Sequence, residues 1–519
     1  MRKAAGNEFR SFPAPCTLDL GGEIFLLSLL QQMTTFYIEQ FGCRATQADG
    51  AAIERQLRDR GCLAASNFAT ADVVVVNTCT VTAAADSQAR DAIRKIHARN
   101  PATCVIVTGC YAQRAPEELA ALPGVSWVVG NSHKPQIPEL AANFIQAAHE
   151  ASASPSSFIP AESLLAFNPF ESETPSLAHA PAKILTGDIF AQTTFLAAPV
   201  LGGEGNHTRP TLKIQDGCNS RCSYCVIPFV RGKSRSLPPN EVIAEIGRLF
   251  ELGYREIVLS GINIGTYGRD LSPRVAFDVL LLRILDETPI ERLRISSIEP
   301  LDVTRDLIAL FASTPRIAQH FHMPLQSASD RVLAAMHRWY RSEHYARRVE
   351  LIREHLPHAA IGADVIAGFP GETEDDHAAT ISFIERLPFT YLHVFSFSKR
   401  PGTRAASLSG EIPPDAIHRR ARELRALSER KSAAFHRAQL HKTLEVLTLR
   451  HTSRAPASTP PANSTWTPAI SSNYLQVHLA GEWLPNQMMR ARVVSAAAGH
   501  LNANPETSEI FAVQRASRG

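Results

Sequence analysis

Residues 214–232 read IQDGCNSRCSYCVIPFVRG, and three of the chain's nine cysteines, Cys218, Cys222 and Cys225, crowd into it with spacers of three and two residues. The stretch begins inside an apolar strand, TLKIQ (211–215), and turns polar at Asn219, Ser220, Arg221 and Ser223. Thiolates spaced C-x3-C-x2-C on a loop directly after a strand can hold three corners of a [4Fe–4S] cluster, because soft sulfur suits iron and short spacers let one loop wrap one cluster. The fourth iron then lacks a protein ligand. Such an open position can chelate the amino and carboxylate groups of S-adenosylmethionine, whose sulfonium is then reduced to give a carbon radical. Zinc, the competing reading, wants four protein ligands at paired spacings, and no fourth Cys or His sits suitably nearby. The polar loop argues against three merely buried thiols.

Downstream of this loop a strand-then-helix rhythm recurs six times. The expected strands are TLKIQ, REIVLSG (255–261), RLRISSI (292–298), HFHMPL (320–325), AIGADVIAG (360–368) and YLHVFSF (391–397). Between the first two lies PNEVIAEIGRLFELG (239–253), where Val242, Ile246, Leu249 and Phe250 mark one helical face. Six such units suit an open βα barrel, with the active edge at the carboxyl ends of the strands. Residues 413–442 then read as a long helix opened by Pro413 and Pro414. Ten Lys/Arg against four acids between Asp415 and Arg454 concentrate positive charge there. Past a Ser/Pro-rich break, NYLQVHLAG (473–481) and MMRARVVSAA (488–497) predict a small β-barrel. Such a barrel beside a basic helix suits RNA; a solvated helix face is the plainer reading.

Upstream, residues 34–147 also alternate strands and helices, which implies a parallel sheet. TFYIEQFGC (35–43), ADVVVVNTC (71–79) and TCVIVTGC (103–110) each place a cysteine just past a strand. If the strands are parallel, Cys43, Cys79 and Cys110 share one edge and can hold a second cluster. Cys62, trailing a helix, and Cys104, opening a strand, read as ordinary buried residues. Residues 148–208, rich in Ser, Ala and Pro, read as a flexible linker or insertion.

A chain of 519 residues requires several cores. Its 53 Lys+Arg against 50 Asp+Glu exclude a histone-like polycation, and nine scattered cysteines do not resemble a secreted disulfide scaffold. The most apolar early run, Ile24 to Leu30, is far short of the ~20 residues a bilayer crossing needs. Residues 1–32 read as a dispensable extension ahead of the first strand.

GCNSRCSYCVIPFVRGKSRS (217–236), LSGINIGTYG (259–268), LRISSIEP (293–300), HMPLQSASDRVLAAMHRWY (322–340), GADVIAGFPGETEDD (362–376) and HVFSFSKRPGTRA (393–405) together resemble the radical S-adenosylmethionine core of the methylthiotransferases. The resemblance covers most of residues 34–435, with a looser match to a C-terminal TRAM-type barrel. It implies an α/β chain of five parts: an extension (1–32), an N-terminal domain with an auxiliary cluster (33–147), a linker (148–208), a radical domain with its basic helix (209–437), and a TRAM-like RNA-binding domain and tail (438–519). It implies two [4Fe–4S] clusters, one on Cys218, Cys222 and Cys225 and one on Cys43, Cys79 and Cys110, with S-adenosylmethionine as cofactor. Thr46 stands where the family usually has Asn.

Ser260 and Gly261 end the second barrel strand, and the resemblance brings this loop to the methionine part of the cofactor; a plain turn is the alternative. Its glycines, Gly261, Gly265 and Gly268, do not form a dinucleotide fingerprint. Glu299, Gln326 and Asp364 lie at or near later strand ends, where ligand-binding polar groups gather. Glu372 reads as an acidic first-turn residue of the helix that follows. Arg44 and SSIEP (296–300) look most like the branch that modifies threonylcarbamoyladenosine at position 37 of tRNA. Isopentenyladenosine and a ribosomal-protein aspartate are the rival substrates, and a non-catalytic iron–sulfur RNA-binding protein is the reading from another class. Implied partners are tRNA, a reductant such as flavodoxin or ferredoxin, and a sulfur donor, in the cytoplasm and away from membranes.

Overall fold

Val73 to Val76, four consecutive valines with no exposed surface, form the middle of the first sheet. Each valine withdrawn from water contributes about 1.5 kcal/mol or more, and covering both faces requires helices on each side. A computed structural model describes residues 34–142, 182–201, 208–450 and 465–506. The expected extension with its Cys16, and residues 148–181 and 202–207 of the expected linker, lie outside the described residues.

The first sheet is parallel, with strand order β2-β1-β3-β4-β5-β6. Its strands are β1 (Thr35–Gln40), β2 (Leu63–Ala64), β3 (Val73–Thr78), β4 (Cys104–Gly109), β5 (Val125–Gly130) and β6 (Lys183–Leu185). Helices α1 (Arg44–Asp59) and α2 (Ala83–Arg99) connect the first three long strands. β6 corrects the linker expectation: Lys183–Leu185 pair with Trp127–Val129 and complete the sheet edge. A three-residue edge strand carries too little periodicity to stand out from its Ser/Pro-rich surroundings.

The second unit contains all six expected strands: β7 (Thr211–Asp216), β9 (Glu256–Gly261), β10 (Arg292–Ile295), β11 (His320–His322), β12 (Ala360–Ala367) and β13 (Tyr391–Ser396). A two-residue antiparallel strand, β8 (Arg235–Ser236), flanks β7. The ladder divides into β10-β9-β7-β8 and β11-β12-β13, joined through the single bridge Leu293–Ile317. The barrel is therefore open, with β7, flanked by the short β8, on one side of its gap and β13 on the other.

The long helix α3 (Pro414–Arg437) packs along β13. Its positive charge is largely used internally: Arg419 and Arg420 pair with Glu374, Arg430 pairs with Glu385, and Lys431 caps the Glu385 and Leu387 carbonyls. Glu372 corrects another expectation. The following helix starts at Glu374, while Glu372 is buried, accepts from Gly368 N at 2.8 Å and pairs with Arg420 at 2.7 Å.

Strands β14 (Thr443–Thr448), β15 (Trp466–Ser471), β16 (Gln476–Ala480), β17 (Met488–Ala497) and β18 (His500–Pro505) close into a small barrel ordered β14-β15-β16-β18-β17. Among the described residues, no helix is long and apolar enough to cross a membrane.

Candidate functional site

The cysteine loop leaves β7 through Gly217 at φ 72°, where a Cβ would stand 2.0 Å from the Lys233 carbonyl oxygen. Cys218 N donates to Gly232 O at 3.0 Å, and Ser223 anchors the loop's far side to the Met336 and Ala335 carbonyls at 3.0 and 2.8 Å. Burial raises the Cys222 thiol and pushes Cys225 up to about 12, and the thiolate charges of the loop raise both further. The Cys222 and Cys225 thiols, which resist carrying charge, share one short loop with Cys218 and are stabilised by an electropositive centre, so the donor set fits an iron–sulfur cluster. Arg338 supplies the protein's own countercharge, with Nη1 3.4 Å from Cys222 Sγ.

The cleft beside this loop has a volume of about 580 Å³ and is lined by Cys222, Asn263, Glu299, Asp302, Arg338 and Trp339. Glu299 pairs with Arg338, and burial raises its carboxyl above the ordinary range despite that partner. Ser260 and Gly261 sit farther along β9; a Cβ on Gly261 would meet Gln215 Oε1 at 2.9 Å. Gln326, at φ 65°, donates its N–H to Asp364 O at 2.7 Å. Asp364 joins two histidines, accepting from His322 Nε2 at 2.9 Å and lying 3.4 Å from His393 Nδ1. Of the five expected cofactor-binding residues, Glu299 alone is among those lining the cleft with Cys222.

Cys43, Cys79 and Cys110 follow β1, β3 and β4, which are adjacent and parallel, so their carboxyl ends form one edge. The Cys43 and Cys79 thiols share a hydrogen bond that holds Cys43 well below its ordinary range and lifts Cys79 well above; the Cys110 charge lifts Cys79 further. Gly42, at φ 92°, permits this approach, since a Cβ there would sit 2.6 Å from Cys79 Sγ. Thr46 is buried with Oγ1 3.4 Å from Cys43 Sγ, and its carbonyl accepts from Asn77 Nδ2 at 2.7 Å. This second trio also fits a cluster by its donors. By contrast, Cys62 and Cys104 are buried away from it, and burial pushes Cys104 up to about 11.

A buried ionic hub lies between the two trios. Asp49 of α1 pairs with Lys134 at 2.7 Å, with Arg231 at 2.9 Å and with Lys213 of β7. Asp216 pairs with Lys213 at 2.9 Å and with Arg231 at 3.0 Å. Burial favours the neutral carboxyls, but Arg231 and Lys213, joined by Arg235, hold Asp216 at about 2, and Arg231, Lys134 and Lys213 hold Asp49 lower. The Arg231 guanidinium senses Cys110 and Cys43 as well. At the other edge of the gap, Arg400, which follows β13, donates to Thr80 Oγ1 at 2.8 Å and pairs with Asp86. The first sheet's domain thus spans the open side of the barrel.

Sequence reasoning missed Arg338 and the hub. Asp49 left one signal: it stands four and eight residues before the buried Ile53 and Leu57, an acid on the apolar face of its helix. Arg338 left none beyond its place in a recognised motif.

Residues 35–130 match the family described as Uncharacterized protein family UPF0004, and residues 212–384 match the radical SAM superfamily. The chain is 35% identical over 412 residues to the threonylcarbamoyladenosine tRNA methylthiotransferase MtaB of Aquifex aeolicus, covering 79% of this chain and 92% of that protein. The chain belongs to the radical SAM methylthiotransferase family. This methylthiotransferase is also 34% identical to the MtaB of Bacillus subtilis, over 80% of this chain and 85% of that one. A tRNA-2-methylthio-N(6)-dimethylallyladenosine synthase of Syntrophobacter fumaroxidans is 35% identical over 75% of this chain and 79% of its own. The fold resembles the radical S-adenosylmethionine methyltransferase TsrM of Kitasatospora setae, with TM-score 0.51 and 16% identity over 72% of this chain and 77% of that one. As a family member the protein is a radical S-adenosylmethionine enzyme with two [4Fe–4S] clusters.

Proposed function

We propose that the protein converts N6-threonylcarbamoyladenosine at position 37 of tRNA to its 2-methylthio derivative. The observation that carries this reading is the convergence of two separate cysteine trios on either side of one ionic hub, at the mouth of one open barrel. Cys218, Cys222 and Cys225 hold the radical-generating cluster, and Cys43, Cys79 and Cys110 hold the auxiliary cluster. When bound, the cofactors supply a carbon radical strong enough to take hydrogen from an unactivated C–H bond and the sulfur that replaces it.

The chain's own contribution is alignment and exclusion of water. Glu299 and Asn263 offer polar contacts in the cleft beside Cys222, where the methionyl end of S-adenosylmethionine binds. Ser260, Gly261, Gln326 and Asp364 shape the barrel interior through which the substrate base reaches the auxiliary edge. The small C-terminal barrel provides an RNA-binding surface. A flavodoxin or ferredoxin supplies electrons, a separate donor supplies sulfur, and the reaction takes place in the cytoplasm.

The two MtaB relatives support the threonylcarbamoyl substrate, and the dimethylallyladenosine synthases support a second reading at similar identity. Nucleoside mass spectrometry of tRNA from a strain lacking the gene separates them. Loss of 2-methylthio-threonylcarbamoyladenosine, restored by the wild-type gene and not by Cys79→Ser, is the expected outcome. Unchanged levels of that nucleoside would remove the proposal.

A further inference from the structure

Among the described residues, the polar side chains facing the barrel interior pair with one another, while a cation of α1 has no partner. Along β13, Leu392 and Val394 enter the main core, so Tyr391, His393 and Phe395 face the lumen. The same alternation sends Phe321, Ala363 and Val365 outward and turns His320, His322 and Asp364 inward. The inward carboxylate already has ring-nitrogen partners, His322 Nε2 at 2.9 Å and His393 Nδ1 at 3.4 Å. Tyr391 Oη bonds His320 Nε2 at 2.8 Å and His322 Nδ1 at 2.9 Å.

Arg44 differs from these groups: among the described residues its side chain forms no hydrogen bond and no ion pair, yet its charge is felt at the buried His320 and at Tyr391. Its position explains this reach. Arg44 is the first residue of α1, directly after Cys43, and the domain carrying it is fixed to β7 through Asp49 and past β13 through Asp86. It therefore stands over the gap between the barrel's two edges. The lumen below has free surface, since the His393 side chain is 54% exposed and Phe395 is 47% exposed. An unpaired guanidinium above a lumen whose own acid is already hydrogen-bonded complements an anionic ligand, and its planar fork matches a carboxylate in particular. The exposed ring of Phe395 offers a stacking face to a base.

We propose that Arg44 is a specificity-determining residue of this enzyme, binding the carboxylate borne by the N6 substituent of the substrate adenosine. The inference rests on the threonylcarbamoyl reading, because a dimethylallyl substituent carries no charge for Arg44 to recognise.

The test measures binding of anticodon-arm RNA hairpins to the reconstituted enzyme. One hairpin carries threonylcarbamoyladenosine, a second carries its carboxylate methyl ester, and a third carries dimethylallyladenosine. The wild type is expected to prefer acid over ester about tenfold or more, the value of one charge-assisted contact. Arg44→Gln is expected to reduce that ratio below about threefold, and Arg44→Lys to restore part of it. Arg44 is exposed, so these variants are expected to fold. An unchanged ratio in Arg44→Gln overturns the inference and leaves the proposed function standing. A wild-type preference for the dimethylallyl hairpin overturns both. Loss of iron in Arg44→Gln with the acid-to-ester ratio intact assigns Arg44 to the auxiliary cluster and overturns the inference alone.

Discussion

Arg338 shows how one side chain ties the cofactor cleft together. Its guanidinium meets Cys222 Sγ at 3.4 Å, pairs with Glu299 and lies 5.0 Å over the Tyr340 ring. Tyr340 in turn donates to the Pro324 and Leu325 carbonyls at 2.7 and 2.8 Å. Replacing it by an uncharged chain leaves Glu299 buried without its cation. Arg338→Met is therefore expected to cost about 3 kcal/mol, the low end for breaking a buried pair because Glu299 keeps some exposure. Urea unfolding of the iron-free chain reads that cost, and Arg338→Met/Glu299→Gln is expected to recover part of it. An unaltered midpoint would mean that the pair contributes nothing net. The Cys222 contact joins residues 116 apart in sequence, which explains why no local pattern disclosed it. The six cysteines were legible for the opposite reason: Cys218, Cys222 and Cys225 sit close together at a telling spacing, and Cys43, Cys79 and Cys110 each stand just past a strand end, which a parallel sheet gathers on one edge.

Among the elements, α1 carries the heaviest electrostatic duty. Its Asp49 reaches partners 85, 164 and 182 residues away, and the only local trace was an acid in phase with Ile53 and Leu57. Strand and helix positions follow from periodicity within a few neighbours, so all six barrel strands were readable. The hub depends on which elements finally meet, and periodicity does not encode that. Asp49→Asn leaves Lys134 without its anion and leaves Lys213 and Arg231 with Asp216 alone. We expect a loss of about 3–5 kcal/mol, with the first sheet's domain loosening from β7. Hydrogen exchange by mass spectrometry is expected to show faster exchange in both α1 and β7. Faster exchange confined to α1 would mean that the hub stabilises its own helix and does not join the domains.

For the whole molecule, the small C-terminal barrel seats at the amino ends of β9, β10 and β11, opposite the cysteine loop. Arg294 of β10 donates to Ser472 O at 3.1 Å and Ser471 O at 3.0 Å, while Tyr474 stacks on His320 at 4.3 Å. The anion organising this seat is Glu256, wholly buried and paired with Arg294 at 2.7 Å and with Arg209 and Arg292 at 3.3 Å. Burial alone would raise its carboxyl, but Arg294, Arg209 and Arg292 hold it at about 2, against an ordinary 4.5. A depressed carboxylate contributes stability that is complete above the unfolded value and is lost as pH falls through the folded one. The window is therefore from about 4.5 down to about 2, and the contribution at neutral pH is on the order of 3 kcal/mol. Glu256→Gln removes this dependence and leaves three arginines without their anion. The variant is expected to be less stable at pH 7 and to have a flatter stability profile between pH 5 and 3, as read from urea midpoints. Parallel profiles for the two proteins would place the acid-sensitive group elsewhere, with Asp216 of the hub the next carboxylate to replace.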